Sequence, residues 1–114
     1  MGYLIYQGQQ IEFEDRVLAH LQALIFYKLR HGECFALSWK NPVSVGNGRT
    51  SIWLHPGSDL TFQFAGSRAP VLNRQWLATL RAEADSPGGL VLGDKTAEPT
   101  PVGVPVSGID QRVP

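Results

Sequence analysis

Residues 15–39, DRVLAHLQALIFYKLRHGECFALSW, change their hydrophobic period midway. Val17, Leu18, Leu21, Leu24, Ile25 and Leu29 recur at helical spacing, whereas Phe35, Leu37 and Trp39 fall at every second position. The first run predicts an amphipathic helix with Asp15 as N-cap and Gly32 just past its C-terminus. Lys28, Arg30 and His31 lie in its last turn, where cations complement the helix dipole. The reverse face carries Arg16, Ala19, Gln22 and Ala23, and leaves Phe26 and Tyr27 to cover an edge or a partner. The second run predicts a strand whose other face bears Cys34, Ala36 and Ser38.

Upstream, Tyr3–Tyr6 and Ile11–Phe13 flank a four-residue, glycine-containing connection, Gln7 to Gln10, which fits a hairpin. Downstream, Thr50–His55 alternates with Ile52 and Leu54 inward and Trp53 outward, and Leu60–Ala65 alternates again. With connections at Lys40–Arg49 and Pro56–Asp59, these strands predict a three-stranded meander with the Cys34–Trp39 strand. Asn73 reads as the N-cap of a second helix through Trp76, Leu77 and Leu80, and Leu90–Leu92 reads as a last short strand. The order β-β-α-β-β-β-α-β predicts an α+β fold, a mainly antiparallel sheet with two helices packed on one face.

Composition sets the boundaries. The 114 residues are 43% hydrophobic, and 10 Lys+Arg balance 10 Asp+Glu, which fits one small neutral domain with its own core. After Leu92 the chain turns rich in proline and glycine and has no aromatic residue, so residues 1–92 read as the domain and 93–114 as a flexible tail. A second reading of the tail, where Pro99, Pro101 and Pro105 alternate with Val102, Val104 and Val106, is an extended arm along a sheet edge. One cysteine and no signal-like or membrane-spanning apolar stretch point to a cytoplasmic protein without a disulfide framework.

No metal or cofactor is expected. His20 and His31 stand eleven residues apart on one helix, about 16 Å at 1.5 Å per residue, too far to share an ion. His55, with Cys34 or Asp59, offers a nucleophile, base and orienter set for a small hydrolase or transferase, with an arginine as anchor. Against that stands the bland alternative of a buried, hydrogen-bonded histidine and an inert core cysteine. The loop Gly46-Asn47-Gly48-Arg49-Thr50 has glycines that admit a phosphate, but it feeds a strand rather than a helix and lacks the lysine of a phosphate loop. Charge is uneven: Arg49 to Arg81 holds four arginines against Asp59, while residues 1–48 balance four against four. With Trp53 and Trp76 nearby, a basic, aromatic surface for single strands is one reading; overall neutrality argues for weak nucleic-acid affinity at most.

Leu37-Ser38-Trp39, Gly46-x-Gly48-Arg49-Thr50-x-x-Trp53-Leu54-His55-Pro56 and Phe64-x-Gly66-x-Arg68-x-Pro70-x-Leu72-Asn73-Arg74-x-Trp76-Leu77 resemble a family of short actinobacterial proteins without an established function. The openings Met1-Gly2-x-Leu4-Ile5-Tyr6 and Asp15-Arg16-x-Leu18-Ala19-His20-Leu21 are similar too. Members of that family often carry the label ATP-dependent DNA ligase. A ligase needs a nucleophilic lysine in a Lys-x-Asp-Gly setting, and Lys28, Lys40 and Lys95 all lack it. An adenylating domain plus a positioning domain would also exceed 114 residues. The resemblance implies association with DNA metabolism rather than catalysis.

The expectation is therefore a cytoplasmic binding or adaptor module, not a ligase and not an enzyme on balance. Its partner is a protein or a weakly bound nucleic acid, with no membrane. The family-like polar residues Arg49, His55, Arg68, Asn73 and Arg74 are the candidate binding surface, with Asn73 as helix cap and His55 as turn anchor in the purely structural reading. The rivals are the His55 enzyme and a self-assembling homo-oligomer joined through Phe26, Tyr27 or an edge strand.

Overall fold

The computed structural model describes residues 1–99. Strands β1 (Gly2–Tyr6) and β2 (Gln9–Phe13) form an antiparallel hairpin in which Tyr6 pairs with Gln9. The connection is thus the two residues Gln7 and Gly8, shorter than the expected four, and both have positive φ (50° and 84°). That geometry matches the right-handed twist of the flanking strands. Helix α1 (Asp15–Arg30) follows, with Leu18, Leu21, Leu24 and Ile25 buried. Gly32 has φ +74° just past its end, as its position in the sequence predicts. Asp15 is not the cap. The N-cap position is Glu14, whose side chain makes no capping bond, and the Asp15 carboxylate instead accepts the backbone N–H groups of Ala65 and Gly66 at 3.2 and 2.8 Å.

Strands β3 (Phe35–Lys40) and β4 (Arg49–Leu54) pair antiparallel, from Phe35 opposite Leu54 to Lys40 opposite Arg49. A 3-10 turn at Val43–Val45 lies in the connection between them. The predicted meander stops here. Strand β5 (Leu60–Gln63) leaves β4 and pairs antiparallel with β1, placing Phe62 opposite Leu4. Gln7 guides the crossing: its N–H donates to the Asp59 carbonyl at 3.0 Å, and its side-chain carbonyl accepts the Asp59 N–H at 2.7 Å. Alternation in 60–65 fixed which face of β5 is apolar, but not which strand would pair with it. The open edge of β1, with fully buried Leu4 at its centre, took it.

Helix α2 (Arg74–Ala84) packs on α1, on β3 and on β6 (Leu90–Val91), which pairs parallel with β3. The α+β class and the element order are those read from the sequence; the strands are divided between two three-stranded sheets, β2-β1-β5 and β4-β3-β6. Leu4, Leu18, Leu21, Ile25, Leu37, Leu54, Leu80 and Leu90 make the fully buried centre. Phe26 lies edge-on to Phe62 of β5 at 5.3 Å, and Tyr27 lies beneath the Arg81 guanidinium at 4.4 Å, so each aromatic of the outer α1 face meets a neighbour within the chain.

Of the tail expected from residue 93, residues 100–114 lie outside the described residues. Within residues 93–99 a 3-10 turn at Asp94–Thr96 buries Thr96, whose carbonyl accepts the Trp76 indole N–H at 2.7 Å, while Gly93, Asp94, Lys95 and Ala97 are exposed. Two side chains, Thr96 and Glu98, tie this stretch to β6, α1 and Asn73 by polar contacts. Among the described residues no helix is long and apolar enough to cross a membrane.

Candidate functional site

Side chains alternate along β4, so Arg49, Ser51 and Trp53 project from the face opposite buried Ile52 and Leu54. Residues paired across two strands share a face, which adds Ala36, Ser38 and Lys40 of β3, and Val91 of β6 beside Ser38. This outer face of the second sheet has one large aromatic, Trp53, 56% exposed. The pair Lys40–Arg49 stands at one end of it, and both residues are exposed. Neither makes an ion pair among the described residues, and no acidic residue belongs to the strand positions of the face. Ser38 and Ser51 share a hydrogen bond at 2.7 Å in the middle.

The cationic end opens into a concavity of about 660 Å³ lined by Lys40, Gly48, Arg49, Ser51 and Val91, among others, and by no acidic residue. The Asn41 N–H donates to the Gly48 carbonyl at 2.9 Å, and the Thr50 hydroxyl donates to the Asn41 side-chain carbonyl at 2.8 Å. The Gly46–Gly48 loop is thus tied to the end of the hairpin rather than to a helix N-terminus. Its position beside two cations is what the isolated motif did not convey.

The five residues singled out in the sequence are not brought into one place. Arg49 begins β4 and His55 follows its last residue, about 20 Å away at 3.3 Å per residue. The His55 ring is occupied by its own turn: Nδ1 accepts the Gly57 N–H at 3.1 Å, and the His55 N–H donates to Ser58 Oγ at 3.1 Å. It makes no hydrogen bond to Cys34 or Asp59 among the described residues. The alternative expectation, a buried histidine and a core cysteine, fails as well, because both His55 and Cys34 are exposed. Arg68 is exposed in the connection between β5 and α2. Arg74 lies over a shallow groove of about 340 Å³ between the helices, with Leu24, Tyr27, Leu77 and Arg81.

Asn73 caps α2, as its type and position predict, by accepting the Trp76 N–H at 3.1 Å. It also belongs to a polar cluster that the sequence does not display. Arg16 binds Glu98 through two bonds of 2.6 Å, and the Asn73 amide donates to Glu98 at 2.9 Å. The Arg16 guanidinium is the main cause that holds the Glu98 carboxyl well below its ordinary range, at about 2, with Asn73 assisting against partial burial. A wide cleft of about 1140 Å³ between β2, the end of β3 and residues 92–98 holds none of the five candidates. Its floor includes Phe13 and Trp39, edge-on at 5.7 Å, and its Arg16 and Glu98 are committed to each other.

Lys40, weighed in the sequence only as a ligase lysine, and the buried His20, weighed only as half of a metal pair, are not among those five. The signal for Lys40 was available: a β3–β4 hairpin closed through residues 41–48 sets Lys40 against Arg49. None of the described His, Cys, Asp and Glu side chains gather in threes as metal ligands.

A family model for a domain of unknown function, DUF7882, matches residues 1–95, which include every strand and α-helix among the described residues. No curated protein and no solved structure matches the chain.

Proposed function

For a chain that belongs to the DUF7882 family, whose domain has no assigned function, we propose a module that binds single-stranded nucleic acid on the outer face of its second sheet. The observation that carries this reading is Trp53, over half exposed on an open sheet face in line with the Lys40–Arg49 pair. An indole on a flat, solvent-facing sheet is a stacking platform for any base, and cations beside it meet the backbone phosphates. From Trp53 to Arg49 is about 13 Å along the strand, enough to lay out a base and its neighbouring phosphates. A duplex hides its bases from such a platform, so the face favours single strands.

With one aromatic and two cations on a neutral chain, affinity falls in the range of nonspecific binding, about 10⁻⁴ to 10⁻⁶ M. Strand joining is no part of the proposal. Lys28 is 2% exposed; burial disfavours its charged form, but hydrogen bonds to Asp85 and Glu33 outweigh that and raise its pKa, so the amine stays protonated. A protonated amine is no nucleophile.

The test is fluorescence anisotropy of a labelled twelve-residue oligothymidylate at low salt, with the duplex of the same length as comparison. Saturable binding that weakens about tenfold or more in Trp53→Ala and prefers the single strand supports the module. No binding, or binding unchanged by Trp53→Ala, removes it.

A further inference from the structure

We propose that the concavity at the Lys40–Arg49 end of this face holds a terminal phosphate of the strand, so that the module recognises ends rather than internal stretches; this rests on the nucleic-acid reading above. An internal phosphodiester carries one negative charge, and one cation answers it. A terminal phosphomonoester carries close to two charges near neutral pH and three exposed acceptor oxygens. Here two cations face each other at directly opposed register positions, with Cα atoms about 5 Å apart. Neither is neutralised by a carboxylate among the described residues. The Arg49 guanidinium offers a planar fork to two oxygens, and the Lys40 ammonium answers the third.

The surroundings fit the same ligand. Ser51 and Ser38 line the concavity and share a single hydrogen bond, so one of their two hydroxyl protons remains free to donate to an incoming oxygen. Gly48 lines the wall without a side chain, and an added Cβ would meet only Asn41 at 3.6 Å, so the backbone leaves the mouth open at that point. A volume of about 660 Å³ lies within the roughly 300–1,000 Å³ of small-ligand sites, more than a bare phosphate fills. It accommodates the terminal nucleotide as well, while the next base extends toward Trp53.

The experiment compares twelve-residue oligothymidylates carrying a 5′-phosphate, a 3′-phosphate or hydroxyls at both ends, each labelled at the opposite end or internally, binding to the full chain. About tenfold tighter binding of one phosphorylated oligonucleotide over the dihydroxyl one is expected, and the arm that shows it gives the polarity. Arg49→Ala and Lys40→Ala should each erase most of that preference. Trp53→Ala should weaken all three oligonucleotides and leave the ratio standing. Both cations are exposed, so these variants keep the fold. Equal affinity for all three oligonucleotides overturns end recognition while leaving the single-strand module intact; no binding of any overturns both.

Discussion

His20 Nε2 accepts the backbone N–H of Asn73 at 2.8 Å, across 53 positions of sequence. An N–H can only donate, so Nε2 is the bare nitrogen, and Nδ1–H donates to the Arg16 carbonyl at 2.7 Å. The ring is fully buried and lies against Trp76 at 4.4 Å. One imidazole thereby joins the first turn of α1 to the N-cap of α2.

Replacing it tests that role. His20→Ala leaves the Asn73 N–H unpaired next to a cavity, and should cost about 3 kcal/mol. Urea denaturation followed by circular dichroism should show a lower midpoint at unchanged slope. A loss under 1 kcal/mol would mean that the helices are positioned by apolar packing alone.

Acid should loosen the Glu98 clasp. Its folded pKa, about 2, lies below the ordinary 4.5, so its stabilisation is complete above pH 4.5 and is lost as the pH falls from there toward 2. The carboxyl is a quarter exposed, and after screening the contribution is on the order of 2 kcal/mol. Asp15, held low mainly by the Gly66 and Ala65 N–H groups, and Asp85, held low mainly by Lys28, act in the same direction. Midpoints measured from pH 7 to 2.5 should fall below pH 4.5, and Glu98→Gln should flatten part of that fall.

Lys28 separates charge from packing. Its stem is buried and its ammonium lies 5.5 Å from the Phe35 ring centre, while Glu33 and Asp85 remain half exposed. Lys28→Met keeps the stem and frees both carboxylates to water, so it should change stability by less than about 1 kcal/mol. Lys28→Ala should cost about 2 to 3 kcal/mol. Equal losses in thermal or chemical unfolding would place the stabilisation in the ion pairs instead.

Gly89 has φ +75°, and an added Cβ would stand 2.5 Å from the Ala36 carbonyl oxygen. Gly89→Ala should therefore push β6 away from β3 at a cost of about 2 kcal/mol or more. Hydrogen exchange of the Leu92 N–H, which donates to Ser38 at 2.8 Å, is the local readout: faster exchange is expected, and unchanged protection would show that the approach is not tight.

Salt dependence reports how many phosphate charges the sheet face neutralises. Two cations predict a slope of about −1.4 for the logarithm of affinity against the logarithm of salt, falling by about 0.7 in Arg49→Ala or Lys40→Ala. A slope near zero would indicate a partner that is not a polyanion.

Periodicity in the chain was enough for its elements. The 3.6-residue run from Val17 to Leu29, the alternation in 35–39, 50–55 and 60–64, the cap at Asn73 and the glycine at position 32 are local signals, because each depends on residues within a turn or a pleat of one another. Outward Trp53 follows from the same alternation. Pairing is not local. That β5 joins β1 and not β4, that Asp15 holds Ala65 and Gly66 rather than its own helix, and that Glu98 reaches Arg16 and Asn73 were decided by contacts across about 25 to 82 positions. The candidate site divides in the same way. Arg49 and Trp53 were legible on one strand, whereas the second cation came from β3 through register, and His55, Arg68, Asn73 and Arg74 were sent to other places. A side chain's period says which face it occupies; only the free energy of packing whole elements together says what that face will meet.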